Sequence, residues 1–334
     1  MGNGVRATRL HRYQNFTHET ATMSQDSYNP NREAVAFAKH YMGEMAWPTV
    51  LLVVLVLTGY LTGLWLFATG WLSPPVAVLV LAMLTYMSYT PVHEAVHGNV
   101  HGKHENLRWL NDACGYVMAP LIAIPYASHR LEHMTHHRYT NQPDKDPDFV
   151  ISGLGKGVLR AVITVFKFLW LQNTFFARTH WHKASIKERV VYCTEIAVSL
   201  GWRVAFVMLT DVAYAGWVLF SSYFIGGFFT AYWFAYRPHI PYKDSARYRN
   251  TNSLIMPVWM KPVGWFWLGQ NLHSIHHLFP RVPFYRYQAL HDDIEPILRE
   301  QGTPIVGIFS RKPIEKAGAE SPPIERPTVM RWFS

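Results

Sequence analysis

Residues 76–97 read VAVLVLAMLTYMSYTPVHEAVH. The first sixteen carry no charge, and just beyond Pro91 stand two histidines, His93 and His97, four residues apart. Upstream, residues 46–67 (AWPTVLLVVLVLTGYLTGLWLF) are also uncharged and long enough to cross roughly 30 Å of hydrocarbon as a helix. A tight GWLSPP turn joins the two stretches. A second pair follows at 190–209 and 212–236, separated by Thr210 and Asp211. The expected fold is therefore an all-α membrane protein, with four transmembrane helices in two hairpins.

Composition agrees. The 334 residues are 49% hydrophobic and 15% aromatic but only 16% charged, against about 25% in an ordinary soluble domain. The net charge of +9 raises the possibility of nucleic acid, but its placement fits a membrane protein better. Lys and Arg number 5 before the first span, 12 between the hairpins and 13 after the last, with Arg203 inside the third span and none in either hairpin turn. By the positive-inside rule both termini and the long middle segment are cytoplasmic, in the inner membrane if the source is bacterial, and no nucleic-acid partner is expected. Two cysteines, Cys114 and Cys193, exclude a disulfide framework and a cysteine-ligated cluster.

Three units follow. Residues 1–45 read as a cytosolic arm with an amphipathic stretch at 32–41 and no signal-peptide core. Residues 46–312 form the membrane domain with its cytosolic helical cap. Residues 313–334 are a Pro-rich, loosely ordered tail. Within the domain, 114–127 is too short to span and contains Pro120 and Pro125, so it is re-entrant or buried. Residues 158–176, with Arg160 and Lys167 among large apolar side chains, suit a helix at the lipid interface. An aromatic patch occupies 258–268.

The 18 histidines decide the chemistry. His93 and His97 form HxxxH, while His133, His136 and His137, and again His273, His276 and His277, form HxxHH. Positions i, i+3 and i+4 share one helix face, so each box aims its imidazoles at one spot. Neutral imidazole suits iron, copper, zinc and nickel. All three boxes fall on the cytosolic side near span ends, where a long apolar substrate could reach a metal from the bilayer. Glu94, Asp112, Asp146, Asp148 and Asn271 are candidates to hold ligating imidazoles in orientation through the far ring nitrogen. The remaining histidines at 11, 18, 40, 180, 182 and 291 read as surface or interfacial residues.

These boxes, with two pairs of membrane helices, resemble the membrane fatty-acid desaturase and hydroxylase superfamily over roughly residues 93–287. The resemblance implies a centre of two iron ions that uses O2 as cosubstrate to oxidise an unactivated C–H bond in a lipophilic substrate. It also implies a ninth ligand before the third box, which here is His239 in the segment RPHIP. His101, His104 and His129 continue the helical spacing of the boxes and are the alternatives to a ligand in that set. HEAVHG at the first box, PDKDPD at 143–148 and RPHIP are similar to the carotenoid hydroxylase and ketolase branch, although those enzymes often carry Asp where this chain has Glu94. The run HHLFPRVPFYRY at 276–287 is shared with lipid desaturases. Acyl-chain desaturation or hydroxylation is thus the second reading. With no dinucleotide fingerprint and no cluster cysteines, electrons are expected from a separate carrier such as a ferredoxin, drawn by the basic cytosolic face.

Two rivals remain. HEAVH also matches HExxH of zinc metalloproteases, with Glu94 as general base; that reading leaves two HxxHH boxes idle, and the metzincin extension fails at Val100 and Lys103. A transporter would place polar ligands near the bilayer midplane, where these spans carry only Glu195 and Arg203.

Overall fold

The computed structural model describes residues 28–310 apart from Asp211, together with Lys312 and Ile314. Residues 1–27 of the expected arm, with His11 and His18, most of the expected tail, and Asp211 of the expected second hairpin turn therefore lie outside the described residues.

In chain order the helices begin with α1 (Pro30–Lys39), α2 (Trp47–Ala68), α3 (Pro74–Val96) and α4 (Arg108–Ile122). They continue with α5 (Tyr126–Tyr139), α6 (Val158–Thr179) and α7 (Ile186–Leu209). Next comes α8 (Ala215–Thr230), which runs on through a π segment at Ala231–Tyr236 and a 3₁₀ turn at Arg237–His239. Last are α9 (His273–Leu278) and α10 (Tyr287–Glu300). Four helices are long and apolar enough to cross a membrane: α2, α3, α7 and α8 with its extension.

Local signals start these helices where the backbone needs them. Pro48 and Pro74 lie in the first turns of α2 and α3, where a missing N–H costs nothing. A capping box opens α7, with the Ser185 hydroxyl accepting from the Glu188 amide at 3.3 Å. Glycines let the spans approach. A Cβ on Gly226 of α8 would stand 2.5 Å from the Ala82 carbonyl oxygen of α3, so only glycine fits that crossing. Gly59 and Gly63 of α2 likewise face Leu84 and Leu81 of α3. α3 is thus held between α2 and α8.

Three sequence expectations change in detail. The second span does not stop at Pro91: α3 carries the proline inside it and continues to Val96, so the first histidine box is the span's own last turns. Proline forfeits one backbone hydrogen bond, and burial of every residue from Ser88 to Val96 keeps the helix going. The fold is also not purely helical. Strands β1 (Ser253–Ile255) and β2 (Ile305–Gly307) pair in parallel, Ser253 opposite Ile305, tying the chain ahead of α9 to the chain after α10. Finally, the described part of the expected arm, residues 28–45, packs against α10. Ala34 and Ala38 of α1 are buried, Tyr28 Oη donates to Glu300 of α10 at 2.7 Å, and Tyr41 donates to Asp293.

The stretch read as re-entrant or buried becomes the end of α4 and the start of α5, broken at Ala123 (φ 53). The stretch read as interfacial is α6. It buries Val165, Phe168, Gln172 and Phe176 and turns Val158, Leu159, Val162, Ile163, Phe166 and Trp170 outward.

Candidate metal centre

Four separate segments deliver the histidines. His93 lies on the last turns of α3 and His97 caps it; His133, His136 and His137 lie on α5; His273, His276 and His277 make up half of α9; His239 ends the 3₁₀ turn after α8. The structure brings all nine together. His93, His97, His133 and His276 form one group whose ring nitrogens lie within 4.8 Å of one another. His136, His239 and His277 form a second, and His137 with His276 and His277 joins the two. His273 Nε2 stands 3.2 Å from His277 Nε2, and its ring centroid lies 5.1 Å from that of His239.

The contacts within the first group, and from it to His137, test whether it fits a metal. His97–His133, His133–His137 and His276–His93 approach at 3.0 Å between Nε2 atoms, and His137–His276 at 2.9 Å. A neutral imidazole nitrogen offers either one N–H or one in-plane lone pair. Each Nε2 can therefore make one good hydrogen bond, so at most two of these four contacts can be hydrogen bonds. The rest would be left sharing a proton or a lone pair already in use. A cation shared by His93, His97, His133 and His276 would satisfy those four lone pairs at once, while His137 turns toward His277 and the neighbouring group. With metal–nitrogen bonds of about 2.1 Å, ligands at right angles stand about 3.0 Å apart, which is the spacing seen. In the second group His239 Nε2 is buried with no hydrogen-bond partner. The donor set fits two divalent first-row ions.

The far ring nitrogens explain how the lone pairs are aimed. Asp146 Oδ1 accepts from His136 Nδ1 at 2.8 Å, while Asp148 Oδ2 stands 3.8 Å away. His239 Nδ1 meets Asn141 Oδ1 at 3.3 Å, and His276 Nδ1 meets Tyr287 Oη at 3.0 Å. Neither Asn141 nor Tyr287 was singled out from sequence. Asn141 had a readable signal, since it follows α5 with φ 63, a conformation asparagine tolerates better than most. Tyr287 had none, because it lies on α10 while His276 lies on α9, and only packing brings the two helices together.

Three other candidates bond elsewhere. Glu94 is fully buried and accepts from Asn99 Nδ2 at 3.1 Å and from the Phe284 amide at 3.3 Å. Asp112 meets Asn111 Nδ2, and Asn271 donates to the Leu254 carbonyl. Glu94 anchors the segment after the third box, and both its oxygens are committed, which removes the base that a protease would need. Of the alternative ligands, His101 is buried 3.8 Å from Glu105, His104 is exposed, and His129 Nδ1 meets Gln172 Oε1 at 3.2 Å; none belongs to the three groups. His291, read as a surface residue, is instead buried in α10 with Nε2 unpartnered.

Burial also sets protonation. It pushes His97 and His273 down to about 3, with neighbouring imidazoles adding to the effect. His133, His137, His276 and His277 are driven well below the usual range for the same reasons. His136 goes the other way: burial lowers it, but the charge and hydrogen bond of Asp146, helped by Asp148, outweigh that and raise it. Most rings therefore stay neutral, as metal binding requires.

An apolar crevice runs alongside between α3, α6 and α8, lined by Tyr89, Ile122, Phe168, Tyr223, Gly227 and Phe234. The Tyr89 ring lies 5.7 Å from that of His93.

The sequence profile of the family described as fatty acid desaturase matches residues 69–309. A fatty acid conjugase of Calendula officinalis is 23% identical over 70% of this chain and 73% of its own. An sn-1 oleoyl-lipid 12-desaturase of Anabaena variabilis is 25% identical over 75% and 76%. A beta-carotene ketolase of Paracoccus sp. is 30% identical over 71% of this chain and 87% of its own.

Proposed function

The chain belongs to the fatty acid desaturase family, and from that premise we propose that it oxidises a carotenoid ring by hydroxylation or ketolation. It is a membrane oxidoreductase of the diiron type. The assignment of two irons to His93, His97, His133, His136, His137, His239, His273, His276 and His277 is supported by one observation above the others: ring nitrogens from three chain segments approach one another at 2.9–3.0 Å, with His239 of a fourth segment in the adjoining group. Bound iron would supply the activation of O2 toward an unactivated C–H bond.

The chain's own residues do the rest. Asp146, Asn141 and Tyr287 hold His136, His239 and His276 in orientation. The crevice beside Tyr89 and Phe234 offers an apolar, water-poor seat that a lipophilic molecule enters from the bilayer. Both termini lie in the cytoplasm, where a separate electron carrier docks on the basic face.

The carotenoid assignment draws on the ketolase relative, which aligns over 87% of its own length. A second reading, acyl-chain desaturation or a related oxidation, is favoured by the conjugase and desaturase relatives. Expression in carotene-producing cells, followed by pigment and lipid chromatography, decides between them. Oxygenated carotenes are the expected product. Unchanged carotenes with newly unsaturated or oxygenated acyl chains would establish the second reading instead.

A further inference from the structure

We propose that Glu195 and Arg203, two polar residues inside a membrane span, form a clamp that positions the helix bearing the second histidine box. The observation is where their polar atoms go. Arg203 Nη1 donates to the Pro120 carbonyl at 2.8 Å and Nη2 to the Leu121 carbonyl at 2.9 Å. These carbonyls belong to the last turn of α4. Glu195 Oε1 accepts from the Tyr126 amide at 2.6 Å and Oε2 from the Ala127 amide at 3.1 Å. These amides open α5.

The physical need for such a device is specific. Two helices end at the break around Ala123, against the side of span α7, and Arg203 lies roughly 25 Å along that span at about 1.5 Å per residue. Helix ends leave amides and carbonyls without intrahelical partners. At membrane depth no water serves them, so protein must. A guanidinium at a helix C-terminus and a carboxyl at an N-terminus also match the sign of the partial charge at each end. The Trp202 ring, 4.4 Å from the Arg203 guanidinium, shields the arrangement.

Intramembrane charged residues more often mark an ion or substrate path. Here both carboxyl oxygens and both terminal guanidinium nitrogens are occupied by backbone, which leaves the pair a holding role. The clamp reaches the centre through α5. Tyr126 is the first residue of that helix; its ring lies over Gly115, where a Cβ would approach to 2.6 Å, and its hydroxyl donates to the Ala95 carbonyl beside the first box. His133 follows two turns later, roughly 10 Å along the axis. A tilt at the start of α5 therefore moves His133, His136 and His137 together. Glu195 and Arg203 are positioning residues.

Only the consequence for metal rests on the diiron reading; the clamp itself does not. The test uses full-length protein in detergent, with E195A, E195Q, R203M and R203K. Amide hydrogen exchange over residues 118–130 is measured in metal-stripped and iron-loaded samples, with iron per chain measured in parallel. E195A and R203M are expected to raise exchange at 124–129 by about tenfold, confined to that stretch. They are also expected to lower bound iron. E195Q and R203K, which keep one acceptor or a donor, are expected to recover part of both. Unchanged exchange at 124–129, or an equal rise across every helix, overturns the proposal. So does a local rise with iron retention untouched, since positioning is then refuted. If E195A does not fold, E195Q decides alone: intermediate exchange supports the clamp and wild-type exchange refutes it. Failure of the wild-type protein to bind iron, with the local rise intact, sinks the metal reading and leaves the clamp standing.

Discussion

Asp146→Asn is the sharpest single perturbation of the site. The Asp146 carboxylate accepts three hydrogen bonds: from His136 Nδ1 at 2.8 Å and the Asp148 amide at 2.9 Å on Oδ1, and from the Asn141 amide at 2.7 Å on Oδ2. Asparagine keeps the shape but has only one acceptor oxygen. If that oxygen takes the Oδ1 place, the new NH2 faces the Asn141 amide, donor against donor, and Asn141 is what meets His239. If the amide flips, the NH2 faces His136 Nδ1 and forces the proton onto Nε2, which then has no lone pair to offer. Either way a buried charge-assisted hydrogen bond worth about 1.5–3 kcal/mol is lost. At about 1.4 kcal/mol per decade that is roughly a 10- to 150-fold loss of metal affinity, in line with the 10- to 100-fold range known for partners of ligating histidines. The assay is iron retention against a graded chelator series, read by elemental analysis, with Asp112→Asn as control because Asp112 bonds to Asn111 and to no histidine among the described residues. Equal iron retention by D146N and wild type would falsify the orienting role of Asp146.

Three further outcomes are expected. Gly226→Val puts a side chain onto the Ala82 carbonyl and should cost about 1–3 kcal/mol or more, read as a lower unfolding temperature in detergent; an unchanged midpoint would contradict the close crossing of α3 and α8. Metal-free protein should lose stability as pH falls below about 6.5. Apart from His136, the shifted buried imidazoles have folded-state values below the unfolded one, so the unfolded chain binds more protons there, and each such group takes away about 1.4 kcal/mol per pH unit until its own folded value is reached. His291, pushed by burial down to about 4 and placed away from the boxes, isolates the effect: H291L should flatten the acid arm by about 3 kcal/mol near pH 4, and an unaltered profile would count against it. Turnover with an acidic electron carrier should fall as ionic strength rises; a rate indifferent to salt would exclude docking by charge.

The same burial sets how the site meets acid. An imidazole in water protonates near 6.5, so sequence alone places the loss of ligand character there. In the folded protein His97 and His273 hold out to about 3, so their lone pairs outlast the range in which acid already weakens the fold, whereas His136, raised by Asp146, protonates first. Spans and boxes were legible because both are local patterns, an uncharged run or a helical spacing, and each needs only neighbours in the chain. The partners of the boxes were not. Asp146 is ten residues from His136 and was within reach of inspection, whereas Asn141–His239 and Glu195–Tyr126 join segments 98 and 69 residues apart. Glu195 and Arg203 read from sequence as exceptions to an apolar span. Their meaning depends on a break between α4 and α5 that two prolines announce, but only packing shows that the broken ends lie against α7. A charge inside a span is therefore best interpreted together with the nearest interrupted helix, because the backbone groups freed there need partners as much as any ion does.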